Sequence, residues 1–289
     1  MNTHFKHLGL IHGGALLACG ALMGFSQSAS ALTVPWIGTA DYTSVIGATN
    51  GEIVGPFNSY DFSNGGVVLI QPDVVSGSGY QIGDTYRGYY QSLVTQHMLS
   101  GDMVSSPKLN NNYELTVTTE FTQQVTAVDA YGNASFAVTG GNARLFLDGN
   151  GATLHNFGTD SGFNDGTVIM TGTVSGGGGT FFSGAGFGVT GIDLTIGAFD
   201  YNAAVFDPGT ISGANSIFTM RINPFGVTSG VSSVQGNAVN SGDLLLEADG
   251  NLNLMAVPLP PALLLLATSI LGLMGFSRRS DKKDGLIAA

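Results

Sequence analysis

Short runs in which apolar and polar residues alternate, divided by glycine turns, constrain this chain more than any other feature. In YELTVTTEF (113–121), Tyr113, Leu115, Val117 and Thr119 share one face, while Glu114, Thr116, Thr118 and Glu120 share the other. A period of two belongs to a half-buried strand, with the two glutamates on its solvated face. VVLIQ (67–71), SFAV (135–138), ARLFLD (143–148), TVIMTGTV (167–174), SIFTMRI (216–222), DLLLEAD (243–249) and LNLMA (252–256) show β-branched, aromatic or aliphatic enrichment. YRGYYQSLVTQHML (86–99) is long enough for a helix, but its aromatics favour a strand. Turns are expected at Asn64-Gly65-Gly66, Tyr131-Gly132-Asn133 and Asp148-Gly149-Asn150-Gly151. Asp249-Gly250-Asn251 is expected to join the last two runs as a hairpin.

Composition supports strands over helices. Glycine is 44 of 289 residues, and charged residues are 10%, against about 25% in ordinary globular proteins. SGGGGTFFSGAGFG (175–188) reads as a loop or a bulged strand. It lacks the aspartate that calcium-binding glycine repeats place after their glycines. One all-β domain, an antiparallel β-sandwich with glycine-rich loops, is expected over residues 32–256.

Both termini read as processing segments. An apolar stretch from Leu8 to Phe25 ends in a polar SQS and then Ala29-Ser30-Ala31. Small residues at Ala29 and Ala31 suit signal peptidase, so residues 1–31 are expected to be an export signal for the Sec translocon. LLACG (16–20) resembles a lipobox that would acylate Cys19, but the apolar stretch runs on past that cysteine, which favours ordinary cleavage. Removing the leader removes the one cysteine, so the body has no disulfide and no cysteine nucleophile. Within residues 32–257 only Arg87, Lys108, Arg144 and Arg221 are basic, against eighteen acids, a net charge of −14 by that count. Such a surface repels phosphate backbones, which argues against a nucleic-acid partner, and attracts divalent cations.

No catalytic motif stands out. The body has two histidines, His97 and His155, and no G-x-S-x-G or H-E-x-x-H. Both are expected on the surface or on an edge strand. Glu114 and Glu120 lie six residues apart on one strand, hence about 20 Å apart, too far for a glycosidase pair. Calcium is the one cofactor that the sequence suggests, with Asp148, Asn150, Asp160, Asn164 and Asp165 as oxygen donors. Turn-forming Asp and Asn account for the same residues without a metal. Tyr80, Tyr86, Tyr89 and Tyr90 could stack on sugar rings, or fill a core.

The C-terminal segment, residues 257–289, has three parts. Val257-Pro258-Leu259-Pro260 is held extended by its prolines. An apolar run follows at 262–276, about 22 Å as a helix and short of the roughly 30 Å of a comfortable span. Arg278, Arg279, Lys282 and Lys283 then form a basic stop that keeps this end in the cytoplasm. One C-terminal transmembrane helix is therefore expected.

These three parts, in this order behind an export signal, resemble the PEP-CTERM sorting signal in its VPLP variant. Pro261 stands where alanine is commoner, and DKKDGLIAA extends past the arginines. The resemblance implies an exosortase partner, a membrane-embedded cysteine transpeptidase that cuts near the motif. It also implies a transient inner-membrane anchor, then delivery to the cell surface or extracellular matrix of a Gram-negative bacterium. GDTYRGYYQSLV, NARLFLDGNGAT and DLLLEADGNLNL make the body similar to flocculation-associated PEP-CTERM proteins, chiefly over 83–153. That likeness implies a non-enzymatic role in biofilm or floc formation with exopolysaccharide. A carbohydrate-binding surface module is the alternative, and a secreted hydrolase the third.

Overall fold

Long strands dominate the described residues, and a good share of the glycines lie inside them rather than between them. The computed structural model describes residues 34–149, 154–181, 189–223 and 229–257. In chain order the elements are β1 (Val34–Pro35), β2 (Gly38–Asp41), α1 (Thr43–Asn50), β3 (Ile53–Phe57), β4 (Ser59–Phe62) and β5 (Gly66–Val74). Then come β6 (Thr85–Leu99), β7 (Asp102–Val104), β8 (Tyr113–Val128), β9 (Ala134–Gly149), β10 (Thr167–Phe181) and β11 (Val189–Tyr201). The last are β12 (Phe206–Asp207), β13 (Ile211–Asn223), β14 (Ser233–Val234), β15 (Asn237–Ala238) and β16 (Leu244–Ala256). The expected C-terminal transmembrane helix lies outside the described residues. Among these, no helix is long and apolar enough to cross a membrane.

The all-β antiparallel expectation holds, but the sheets do not form a sandwich. β5, β6, β8, β9, β10, β11, β13 and β16 pair in turn, and β16 returns to β5, closing an eight-stranded antiparallel barrel. Where β5 stops, β4 takes its place, pairing β16 on one side and β6 on the other. The two are collinear pieces of one stave, divided by Ser63-Asn64-Gly65. Closure leaves no free edge along these staves, which a sandwich would have to protect by other means.

Glycines inside the staves explain the difference. SFAV and ARLFLD are parts of one strand, β9, which passes through Gly140 and Gly141. The β8–β9 register shifts opposite them, between Thr122 and Gln123. Gly141 has φ 154°, and a side chain there would collide with the Glu120 carbonyl. The glycine-rich run from Ser175 to Phe181 continues β10, with register shifts that mark bulges. Bulges strengthen the local twist that long staves need in order to coil and close. Asp249-Gly250-Asn251 is likewise no hairpin but the middle of β16. A Cβ on Gly250 would lie 2.9 Å from the Tyr90 hydroxyl and 3.0 Å from Phe62.

Alternate residues of each stave fill the lumen. Tyr86, Tyr90 and Val94 of β6 belong to the main core, as do Leu115, Val117, Phe121 and Val125 of β8. Phe62, Tyr90 and Phe218 meet mid-barrel, with centroids 5.4 Å apart for Phe62–Phe218 and for Tyr90–Phe218. One end is covered by the three-stranded sheet β12–β2–β3, through Trp36, Phe57 and Phe206. Outside the barrel, the β14–β15 hairpin covers Val67, Leu69 and Tyr89. Gln235 pins that hairpin by donating to the Tyr90 and Thr119 carbonyls at 2.7 and 3.2 Å.

Gly88 of β6 lies opposite Phe121 of β8, and a methyl group on it would meet the Phe121 ring. Gly88→Ala is therefore expected to destabilise the barrel by about 1–3 kcal/mol, the usual effect of overpacking. Adding Phe121→Leu should recover most of that loss. Thermal unfolding of the single and double variants checks both.

Candidate functional site

The titratable groups that the structure brings together lie where β8 and β9 begin and end. Glu114 and Asp148 are cross-strand partners. Both point to the outer face, beneath the segment 154–165. Thr116, next on that face, donates to the Phe163 carbonyl at 2.9 Å. Glu114 is thus buried at 2% exposure, not on the solvated face expected from alternation; Glu120 is exposed. The alternation is sound, but a loop covers the second face, and a period of two cannot register that.

Glu114 is fully used. The His155 backbone N–H donates to its Oε1 at 2.8 Å, and His155 Nδ1 stands 2.7 Å from Oε2. Asp148 is 5% exposed, and its Oδ2 has no hydrogen-bond partner. Burial first, then the charges of Asp165 and Glu114, push its carboxyl up to about 6. Gly166 packs against the same carboxylate, leaving no space for a side chain.

Of the candidate calcium donors, Asp165 lies near enough to Asp148 to act on its charge, and Asp160 is engaged elsewhere. Asp160, in left-handed backbone at φ 52°, accepts from the Gln235 and Gly236 N–H groups at 2.9 and 2.7 Å. It fastens the β14–β15 hairpin to the barrel. Asn150 lies outside the described residues, and Asn164 and Asp165 are exposed. Among the described residues, no three His, Asp or Glu side chains stand close enough to hold a metal ion. Loop fastening accounts for Asp160, whereas Asp148 stands buried beside like charges with its Oδ2 unpartnered.

His97 is not a surface residue. It is fully buried at the covered end, with Nε2 2.7 Å from the Tyr42 hydroxyl, which lies 3.2 Å from the Tyr60 hydroxyl. Phe57 packs edge-on against its ring at 4.9 Å. Its Nδ1 has no partner, and burial pushes its pKa down to about 3. The imidazole is therefore neutral across physiological pH and bound into an aromatic core. Nearby, Tyr113 donates to Glu52 at 3.0 Å, and Glu52 also accepts from the Lys108 N–H.

The four tyrosines separate. Tyr90 is inside the barrel, Tyr89 is outside beneath the hairpin, and Tyr86 lines one end of the lumen. All three are buried; only Tyr80 is half-exposed. They do not form an exposed stacking platform. Sequence reasoning missed Gln123, a buried amide in the same lumen, and Gln235; neither glutamine belongs to any motif.

Of the sorting residues, Val257 is described and 54% exposed. Pro258, Leu259, Pro260, Arg278, Arg279, Lys282 and Lys283 lie outside the described residues, as do Ala29, Ala31 and Cys19. Comparison of the chain with known protein families, curated proteins and solved structures finds no match.

Asp148 gives a pH signature. With a native pKa above its ordinary 3.8, it binds its proton more tightly folded than unfolded. Its contribution is most favourable below pH 4 and is lost as pH rises through about 6. Asp148→Asn should therefore raise the melting temperature at pH 7.5 by roughly 3 °C, as about 1 kcal/mol does in a domain of this size. At pH 4 the gain should vanish. His97 acts in the opposite sense: stability falls as pH drops from 6.5 toward about 3. Its ring resonances should hold their neutral positions by NMR down to about pH 4.

Proposed function

We propose that this chain is an exported, non-enzymatic surface or matrix protein that an exosortase processes at Val257-Pro258-Leu259-Pro260. The carrying observation is where the motif stands relative to the fold. β16 ends at Ala256, and the Val257 N–H makes a last bond to the Thr210 carbonyl at 2.8 Å. The chain then leaves the barrel at an exposed residue. Cleavage within the motif leaves every described strand in place, so the barrel would be released complete.

Two further observations support this reading. The compact unit spans Thr33–Pro258, close to the body left by removing both processing segments. The body is strongly acidic, and an acidic barrel in a polysaccharide matrix would be bridged by divalent cations to other polyanions. The apolar run at 262–276 would serve as the transient membrane helix, with Arg278, Arg279, Lys282 and Lys283 on its cytoplasmic side.

Terminal-peptide mass spectrometry on native protein from surface and matrix fractions tests this directly. The expected C-terminus falls within residues 257–260. A chain running through Arg279 would overturn the processing step. Deleting residues 257–260 is expected to hold the protein in the inner membrane, and fractionation checks that outcome.

A further inference from the structure

The barrel's two ends differ. One is covered by the β12–β2–β3 sheet, and at the other, among the described residues, the Tyr80 side chain sits in the mouth of the lumen. At this second end, Ile70 of β5, Tyr86 of β6, Gln123 of β8, Phe136 of β9 and Leu244 of β16 surround the lumen. The Tyr80 ring sits among aromatic neighbours, with centroids 5.6 Å from Tyr86, 5.5 Å from Phe136 and 5.3 Å from Phe181. These are the edge-on and tilted contacts that aromatic pairs favour.

Tyr80 is a partition. On its inner side is a gap of about 20 Å³, room for about one water molecule. On its outer side is a cleft of about 340 Å³ at the barrel rim. Ile70, Tyr80, Tyr86 and Leu244 line both. Moving the Tyr80 ring outward would join the two into one ring-sized chamber in the mouth of a barrel, a common place for small-molecule sites.

The loop that carries Tyr80 suits such a movement. Its neck is fixed: Asp84 accepts from the Ser76 N–H and hydroxyl at 2.9 and 2.8 Å and from the Gln81 N–H at 2.9 Å. Its tip is not. Gly77 and Gly79 stand just before Tyr80 with open space around them, and Gly79 has φ 77°.

Gln123 supplies the second, independent observation. Its side chain is 3% exposed and faces this lumen, and its amide oxygen has no hydrogen-bond partner. Buried amides are nearly always paired, so an orphan at the inner end of a chamber calls for a partner. A hydroxyl can donate or accept, and so satisfies either end of an amide. Among the described residues, the lining contains no charged side chain, which disfavours an ionised ligand.

We propose that this end of the barrel binds a small uncharged ring compound bearing one hydroxyl, of the phenol class, and that Tyr80 occupies the site in the free protein. The ligand's ring would take the place of the Tyr80 ring between Tyr86, Phe136 and Phe181, with its hydroxyl on Gln123. Because the ligand must displace Tyr80, its apparent affinity is reduced by the fraction of protein with the ring in place.

The test is calorimetric titration of the purified full-length chain with p-cresol and with toluene. Wild type is expected to bind p-cresol saturably at one site. Tyr80→Ala should bind it at least tenfold tighter. Gln123→Leu should lose about tenfold for p-cresol while leaving toluene unchanged. Binding by Tyr80→Ala but not by wild type would overturn the proposal, making Tyr80 a fixed plug. So would absence of binding to both proteins, or a Gln123→Leu variant that keeps full p-cresol affinity. The wild-type titration decides the central point even if a variant fails to fold.

Discussion

Steric fit between glycine and aromatic residues inside the lumen is the constraint on which this structure rests. An eight-stranded barrel is just wide enough for its own side chains. Here the filling is unusually aromatic, so some inward positions must carry nothing. Gly88 makes room for Phe121, and Gly250 for Tyr90 and Phe62. Gly66 does the same against the Ala248 carbonyl and Ser92. The glycine content of the chain is thus partly a packing requirement and not only a supply of turns.

This explains what the sequence could and could not disclose. The strands themselves were legible, because alternation and β-branched residues mark them directly, as in YELTVTTEF and VVLIQ. Barrel closure was not. A glycine inside a stave and a glycine in a turn look alike locally, and Gly140-Gly141 and Gly250 separate only when the partner strand is known. The covering of the outer face by 154–165 and by β14–β15 was also hidden, since both segments are polar and short. Hence Glu114, read as a surface group, is buried; His97 is buried instead at the covered end, among Tyr42, Phe57 and Tyr60.

The candidate site divides in the same way. Asp148 and Asp160 stood out as oxygen donors, yet one sits unpaired beside β8 and the other fastens a hairpin. Their shared chemistry says nothing about convergence, which depends on the path of the intervening loop. Gln123 had no local signal at all. Its interest comes only from being polar inside an apolar lumen with no partner, a property of the fold. The proposed sorting tail is the reverse case, since it rests on the order of residues alone.

β16 is both the last element of the body and the strand that closes the ring, joining Ile70 to Leu244 across nearly the whole described chain. Contacts so far apart in sequence form late and slowly. Until residues 244–256 have left the ribosome, the other seven staves can only be an open sheet with two unpaired edges. A barrel built this way cannot close before β16 has been synthesised. On the export route proposed above, translocation in an unfolded state would precede closure, with the barrel closing on the far side.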